Sequence, residues 1–322
     1  MHRRSGLIVV AFAFAAFAQA VLAQYPAKPI RMIVPLAAAS AVDNAARLVA
    51  QRMADNMKGA IAVENVPGAA GLIGTERVAK SAPDGYTIAG FNDSIMTMLP
   101  NLHAKMPWDI QKDFDPVSLV ATVEWGLVAA NNAPYASAGE LIAAARAAPG
   151  KINYGSGGNG SPQHIAMALF ASTAGISLTH VPYKGATQAA LDVAAGQIPV
   201  AFQGLATVAS LARGGKLRLI GVSMPARHPQ FPDVPTVSES GLPGFEFNSW
   251  FAIMVPAGTP KDIVARLHAE VVKALADADI RDKLNAQGLT PRGSTPEELR
   301  KATADQLAKY ARLMKQAHIT AD

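Results

Sequence analysis

The chain has no cysteine among its 322 residues. Disulfides, thiolate metal sites and thiol redox chemistry are therefore excluded. Aromatics supply only 6% of residues and charged residues 16%. No Lys/Arg cluster alternates with aromatics, so a nucleic-acid footprint is lacking. Seven histidines are scattered, and no pair has the spacing of a helical zinc motif. Neither a metal nor a cofactor is expected. No repeat of solenoid type is found, and no low-complexity tract beyond general alanine richness. After the first two dozen residues, no run is long and apolar enough to span a membrane.

That first stretch is the exception. His2, Arg3 and Arg4 form a basic start, residues 7–22 are almost wholly apolar, and Val21-Leu22-Ala23 offers small residues where signal peptidase reads. Residues 1–23 read as a secretory signal peptide, with Ala18-Gln19-Ala20 as a second cut. An uncleaved anchor is the alternative, but the run falls short of the ~20 residues that span a bilayer. The mature chain is then exported, about 299 residues long, enough for two cores. Loss of Arg3 and Arg4 lowers the formal charge from +5 to +3.

Strands and helices alternate. Residues 30–34 predict a buried strand, and a helix from Val42 puts Ala45, Ala46, Val49, Met53 and Met57 on one face. Strands follow at 60–63 and 86–91, with a short helix at 71–79 between them. Two strand segments lie within 117–130, interrupted at Gly126, where the chain leaves its first domain. Ser137 and Glu140 form a capping box for a helix over 138–148. Strands at 151–156, 178–183, 199–203 and 217–223 then alternate with helices at 161–174, 186–195 and 204–212. Residues 225–243, with five prolines, predict a long surface connection before a strand at 250–255. Thr259 caps a helix with Pro260 at its first position, Thr295 and Glu298 form another box, and the last sixty residues read as helical. The alternation implies α/β architecture with parallel sheets.

The most informative stretch is residues 153–164, Asn-Tyr-Gly-Ser-Gly-Gly-Asn-Gly-Ser-Pro-Gln-His. It predicts a strand, a glycine-rich loop and a helix opening near Ser161. Such a loop leaves backbone N–H groups uncovered, and the helix adds orphan donors and its positive dipole end. It reads as an anion cradle for a carboxylate or phosphate, or as a plain strand–helix connection. Catalysis finds no support. Tyr154 occupies the first glycine position of a G-x-S-x-G elbow centred on Ser156. No lysine separates Gly160 from Ser161, as a phosphate loop requires.

Six ordered motifs carry a resemblance: 25–31 (Tyr-Pro-Ala-Lys-Pro-Ile-Arg), 63–71 (Val-Glu-Asn-Val-Pro-Gly-Ala-Ala-Gly), 82–87 (Ala-Pro-Asp-Gly-Tyr-Thr), 155–164, 180–185 (His-Val-Pro-Tyr-Lys-Gly) and 255–260 (Val-Pro-Ala-Gly-Thr-Pro). Together they resemble the extracytoplasmic solute receptors of the tripartite tricarboxylate transporter family, the Bug receptors, over essentially the whole mature chain. The resemblance implies a type II periplasmic-binding-protein fold, with two α/β lobes and a ligand cleft between them. Lobe I is expected from 24–122 and 250–322, and lobe II from 123–249. It also implies a periplasmic monomer that captures a small di-, tri- or aromatic carboxylate. The partner is then either a set of membrane permease subunits or a membrane sensor kinase.

Family position by family position, the ligand carboxylate is expected between the loop over 35–43, with Ala38, Ser40 and Asp43, and the glycine-rich loop, with Ser156, Gly160, Ser161 and His164. Paired glycines are usual where this chain has Ala39 and Ser40. That departure implies ordinary backbone angles or weaker binding, with the Ser40 hydroxyl as a compensating donor. Asp43 is either a ligand contact or a helix N-terminal residue, His164 a ligand contact or a packing group, and Tyr183 a cleft or an interlobe aromatic. Asn92 and Ser94 are further donors, whereas Asp93 would repel a carboxylate. Gln203 stands where relatives that bind amino acids carry a charge or asparagine, which disfavours an amino-acid ligand.

Overall fold

β1 (Ile30–Val34) is apolar except for Arg31 and buried along most of its length, as befits a strand covered on both faces. In the computed structural model, which describes residues 25–316 and 319, β1 pairs in parallel with β2 (Ile61–Asn65) and β3 (Thr87–Asn92). The signal-peptide reading of 1–23 lies outside the described residues. β4 (Phe114–Val123), β10 (Ser249–Pro256) and β11 (Leu289–Pro291) complete a six-stranded sheet in the order β11-β4-β10-β3-β1-β2. A second sheet holds β5 (Trp125–Ala129), β6 (Asn153–Ser156), β7 (Thr179–Pro182), β8 (Val200–Gly204) and β9 (Arg218–Val222) in the order β7-β6-β8-β5-β9.

The sheets are mixed, not purely parallel. β10 runs antiparallel to β3 and β4, and β5 antiparallel to β8 and β9. The cause is the crossing between halves. β4 ends the chain's first pass through one sheet, and β5 enters the other one residue later. The break falls at Glu124, while Gly126 lies inside β5. Glu124 is held on every side: its N–H donates to Gly288 O at 3.1 Å, its carbonyl accepts from Leu205 N at 2.8 Å, and its carboxylate meets His228 and Thr290. At the returning crossing, Trp125 Nε1 donates to Ser249 Oγ at 2.8 Å, and its ring meets Phe247 edge-on.

The helices that matter for the site are α1 (Ala41–Met57), α2 (Leu72–Ala79), α5 (Pro162–Ala174), α6 (Ala186–Ala194) and α7 (Leu205–Arg213); α3 (Leu99–Leu102) and α4 (Ala138–Ala147) lie between them in sequence. α8 (Lys261–Ala276), α9 (Ala278–Ala286) and α10 (Pro296–Gln316) cover the six-stranded sheet's half. The Thr295 box forms in both directions: its hydroxyl accepts from Glu298 N–H, and the Glu298 carboxylate accepts from Thr295 N–H. Thr259 does not cap. Pro260 holds the cap position of α8, and the Thr259 hydroxyl donates to Pro256 O at 2.7 Å. Nor are the last sixty residues all helical, since three-residue β11 pairs with β4. Each half has its own aromatic core, with Phe91 against Phe114 in one and Phe170, Phe202 and Phe245 in the other. A fully buried side chain of this kind contributes about 1.5–3 kcal/mol. Among the described residues, no helix is long and apolar enough to cross a membrane.

Candidate functional site

Five helices begin at the seam between the halves. Their cap residues are Ser40 for α1, Gly71 for α2, Ser161 for α5, Gly185 for α6 and Gly204 for α7. All five line a single cavity of about 50 Å³. The convergence follows from chain order, because helices in α/β units start beyond the carboxyl ends of their strands. Each start presents unpaired N–H groups and a partial positive charge. Ser40 and Ser161 turn their hydroxyls inward to accept from Asp43 N and His164 N. The three glycine-capped helices have no side-chain cap. Leu72 N–H bonds to Ala69 O and Leu205 N–H to Glu124 O, which leaves the other first-turn donors to whatever enters.

The inner chamber opens into an outer space of about 560 Å³. Pro67, Gly68, Ala70, Gly157 and Lys184 line both. An inner volume of about 50 Å³ exceeds the roughly 10–15 Å³ that admits one water on the same measure. It suits a carboxyl head, and the outer space suits the rest of a small molecule.

The first-half loop departs from the expected backbone. Ala39 adopts φ 59°, in the left-handed region that a non-glycine residue enters at roughly 1–2 kcal/mol. Asp43 holds it there. Its carboxylate is almost fully buried and accepts from Ala39 N–H at 2.8 Å, from Arg47 Nε at 3.1 Å and from Asn65 Nδ2 at 2.9 Å. Asp43 is thus turned into the wall, not toward the cavity. Ala38 is exposed, and its carbonyl accepts from the Thr187 hydroxyl of the other half at 2.9 Å.

The glycine-rich loop is braced by imidazoles. Ser156 Oγ meets His180 Nε2 at 2.6 Å and accepts from Gly158 N–H at 3.0 Å. Gly160 N–H donates to His164 Nδ1 at 3.1 Å, and the His164 ring stacks on His180 with centroids 4.3 Å apart. Gly160 has φ 76°, and a Cβ there would sit 2.5 Å from Leu99. Its carbonyl accepts from the Ser94 hydroxyl at 2.6 Å. Ser94 therefore ties the halves together and does not line the cavity. Asn92 does line it. Its carbonyl oxygen is taken by Ile95 N–H at 3.1 Å, which leaves the amide N–H groups as donors.

Asp93 points the other way, fully buried with both oxygens unpartnered. Burial pushes its carboxyl well above the usual carboxylate range. Amides of Ser94, Trp250 and Gln306 pull the other way without reaching hydrogen-bond geometry. Tyr183 lines the outer space and donates to Asp192 Oδ2 at 2.7 Å; burial first, then Asp192, raise its hydroxyl to about 12. Gln203 lies beneath the cavity, wholly buried, with Nε2 donating to Ala186 O at 3.3 Å and Oε1 without a partner.

Of the residues singled out in the sequence, Ser40, Asn92 and Ser161 line the inner chamber and Tyr183 the outer one. Ala38, Asp43, Ser94, Ser156, Gly160, His164 and Gln203 stand behind or beside it. The sequence reading missed Gly71, Gly185 and Gly204, although each is a glycine immediately before a helix. It also missed Lys184, present in the His-Val-Pro-Tyr-Lys-Gly motif. Gly185 allows a close approach between halves: a Cβ there would meet the Ala37 Cβ at 2.6 Å.

Comparison with known proteins agrees with this architecture. The model of the tripartite tricarboxylate transporter family receptor matches residues 45–319. The periplasmic binding protein BugD is similar, at 30% identity and a TM-score of 0.87, over 91% of this chain and 98% of its own. Rpa4515 of R. palustris, solved with adipate, gives 30% identity and a TM-score of 0.89 over 92% of this chain and 99% of its own. MatC from Rhodopseudomonas palustris, with bound malate, gives 29% and 0.85 over 89% and 99%. The two-lobed periplasmic-binding-protein fold and the matched sequence lead to one assignment: this chain belongs to the tripartite tricarboxylate transporter receptor family.

Proposed function

We propose that the chain is a periplasmic solute-binding protein that captures a small organic carboxylate between its lobes and delivers it to membrane permease subunits. The observation that carries this reading is the meeting of five helix N-termini, two from one half and three from the other, on one chamber with no acidic lining. Each contributes about 0.3–2 kcal/mol to binding an anion. Hydrogen bonds to the charged group add roughly 1.5–3 kcal/mol each. Because the donors belong to both halves, the anion favours their approach, and this differential affinity drives closure.

In this reading Ser40, Asn92 and Ser161 face the ligand. Ala38, Ser94 and Gly160 hold the halves together, while Asp43, Ser156 and His164 fix the loops. Tyr183 borders the outer space, and Gln203 supports α6 without a charge for a ligand ammonium. The lobes in this reading are 24–122 with 250–322, and 123–249, with Val123 and Ser249 at the two crossings still inside strands of the six-stranded sheet. Similar proteins solved with adipate and with malate favour a di- or tricarboxylate. A role as ligand-binding partner of a membrane sensor kinase uses the same cleft and a different docking surface; co-purification from membranes separates the two.

A thermal-shift screen of about a hundred carboxylates tests the proposal. At least one acid is expected to raise the melting temperature, and Ser161→Asp to remove that shift by adding like charge. A screen in which no carboxylate shifts the protein overturns it.

A further inference from the structure

Among the described residues lining the inner and outer spaces, no aspartate, glutamate or arginine occurs, and Lys184 is the single permanent cation. It lines both spaces, so it stands at the throat where the chamber opens. It is exposed and lies within 4.0 Å of no carboxylate among the described residues. The nearest acid in sequence on its own side, Asp192, is engaged by the Tyr183 hydroxyl. The helix termini converge on the inner chamber, which at about 50 Å³ is far smaller than the outer space of about 560 Å³. A ligand seated by one anionic group at the helix termini extends outward, and a second anionic group at its far end then passes the throat. Five helix N-termini already border the chamber, so the lysine is surplus to a monoanion.

We propose that Lys184 is the specificity determinant for a second anionic group, so that the receptor selects dianionic over monoanionic acids of the same length. This rests on the carboxylate reading above. The ammonium is a mobile point charge on a four-carbon stem. It follows ligands of several lengths but rewards only those that carry charge beyond the chamber. His103 also borders the outer space and serves as the control position.

The test is calorimetry on the mature protein with straight-chain dicarboxylates of four to eight carbons and the monocarboxylates of matching length. For wild type, the best diacid is expected to bind at least about tenfold tighter than its monoacid, or ~1.4 kcal/mol, and the preference to shrink in high salt. Lys184→Met is expected to reduce the ratio to within about threefold, and Lys184→Arg to retain most of it. The melting temperature without ligand should stay near wild type, because the side chain is exposed. A full diacid preference in Lys184→Met overturns the inference, as does its loss in His103→Gln alone. Wild-type protein that binds mono- and diacids equally overturns it while sparing the carboxylate reading. Protein that binds no acid overturns both.

Discussion

The two loops that face each other across the cleft solve one problem by opposite means. In the first half an alanine is held left-handed, and a carboxylate network of Asp43, Arg47 and Asn65 keeps it there. In the second half glycines take the left-handed positions, and stacked imidazoles hold the frame. Glycine relieves the local strain but leaves the loop loose, so its neighbours must supply order. Alanine restricts the chain but needs an anchor against its own preference. Loop rigidity, not loop composition, is what the two walls share.

Removing the anchor is the strongest way to break this equivalence. Asp43→Ala strands Ala39 N–H and takes the carboxylate from Arg47, which keeps its bond to Asn65 Oδ1; about 2–3 kcal/mol of stability should be lost in denaturant titration, with the ligand-induced shift. Arg47 is half exposed, which keeps the figure below that for a fully buried pair. Gly160→Ala tests the opposite wall. It forces a Cβ into left-handed backbone and onto Leu99, with an expected loss of about 2 kcal/mol. Ligand affinity should fall at least about tenfold, because the Ser94 bond between halves is displaced.

Asp93 sharpens the contrast, since the first half also buries a carboxyl that no partner satisfies. Its folded value is raised, so the native state keeps a proton that the unfolded chain releases. Stability should therefore decline as pH rises from the ordinary carboxylate range toward the folded value, by up to about 1.4 kcal/mol per pH unit. Asp93→Asn should flatten that slope and stabilise the protein by about 1 kcal/mol at pH 8. An unchanged slope would mean that the group is ionised inside. The smallest effect is expected from Ala39→Gly, which makes the first loop resemble the second. Relief of the left-handed backbone and the entropy of a freer unfolded chain nearly offset. The unfolding free energy from denaturant titration should change by no more than about 0.5 kcal/mol.

Much of the second half was legible in the sequence. Between Asn153 and Val222 strands and helices alternate with short glycine-marked turns, and the expected elements lie within a few residues of those observed. Strand direction was not legible, because apolar periodicity is the same for parallel and antiparallel neighbours. β11 escaped notice because three residues show no period. Ser94–Met98 forms a wide helical turn directly after β3, with no cap to announce it. In the site, residue types pointed to the right loops but not to the direction of each side chain. Ser94 finds its acceptor 66 residues away, and Asp43 finds Asn65 across a strand; such partners are set by topology alone. The Ala39 backbone was misjudged for the same reason, since the Asp43 carboxylate that stabilises it is recognisable only once folded.

The crossing between the sheets has a practical outcome. Trp125 belongs to β5, while its indole hydrogen bond and its edge-on aromatic neighbour come from the returning strand segment. Trp108 packs against Phe114 and Trp250 lies in β10, both within the other half. One indole therefore straddles the pivot and two do not. Trp125 and Ser249 also line the inner chamber, so the native emission spectrum is a label-free gauge of ligand entry and closure together, and a Trp125→Phe protein is its blank.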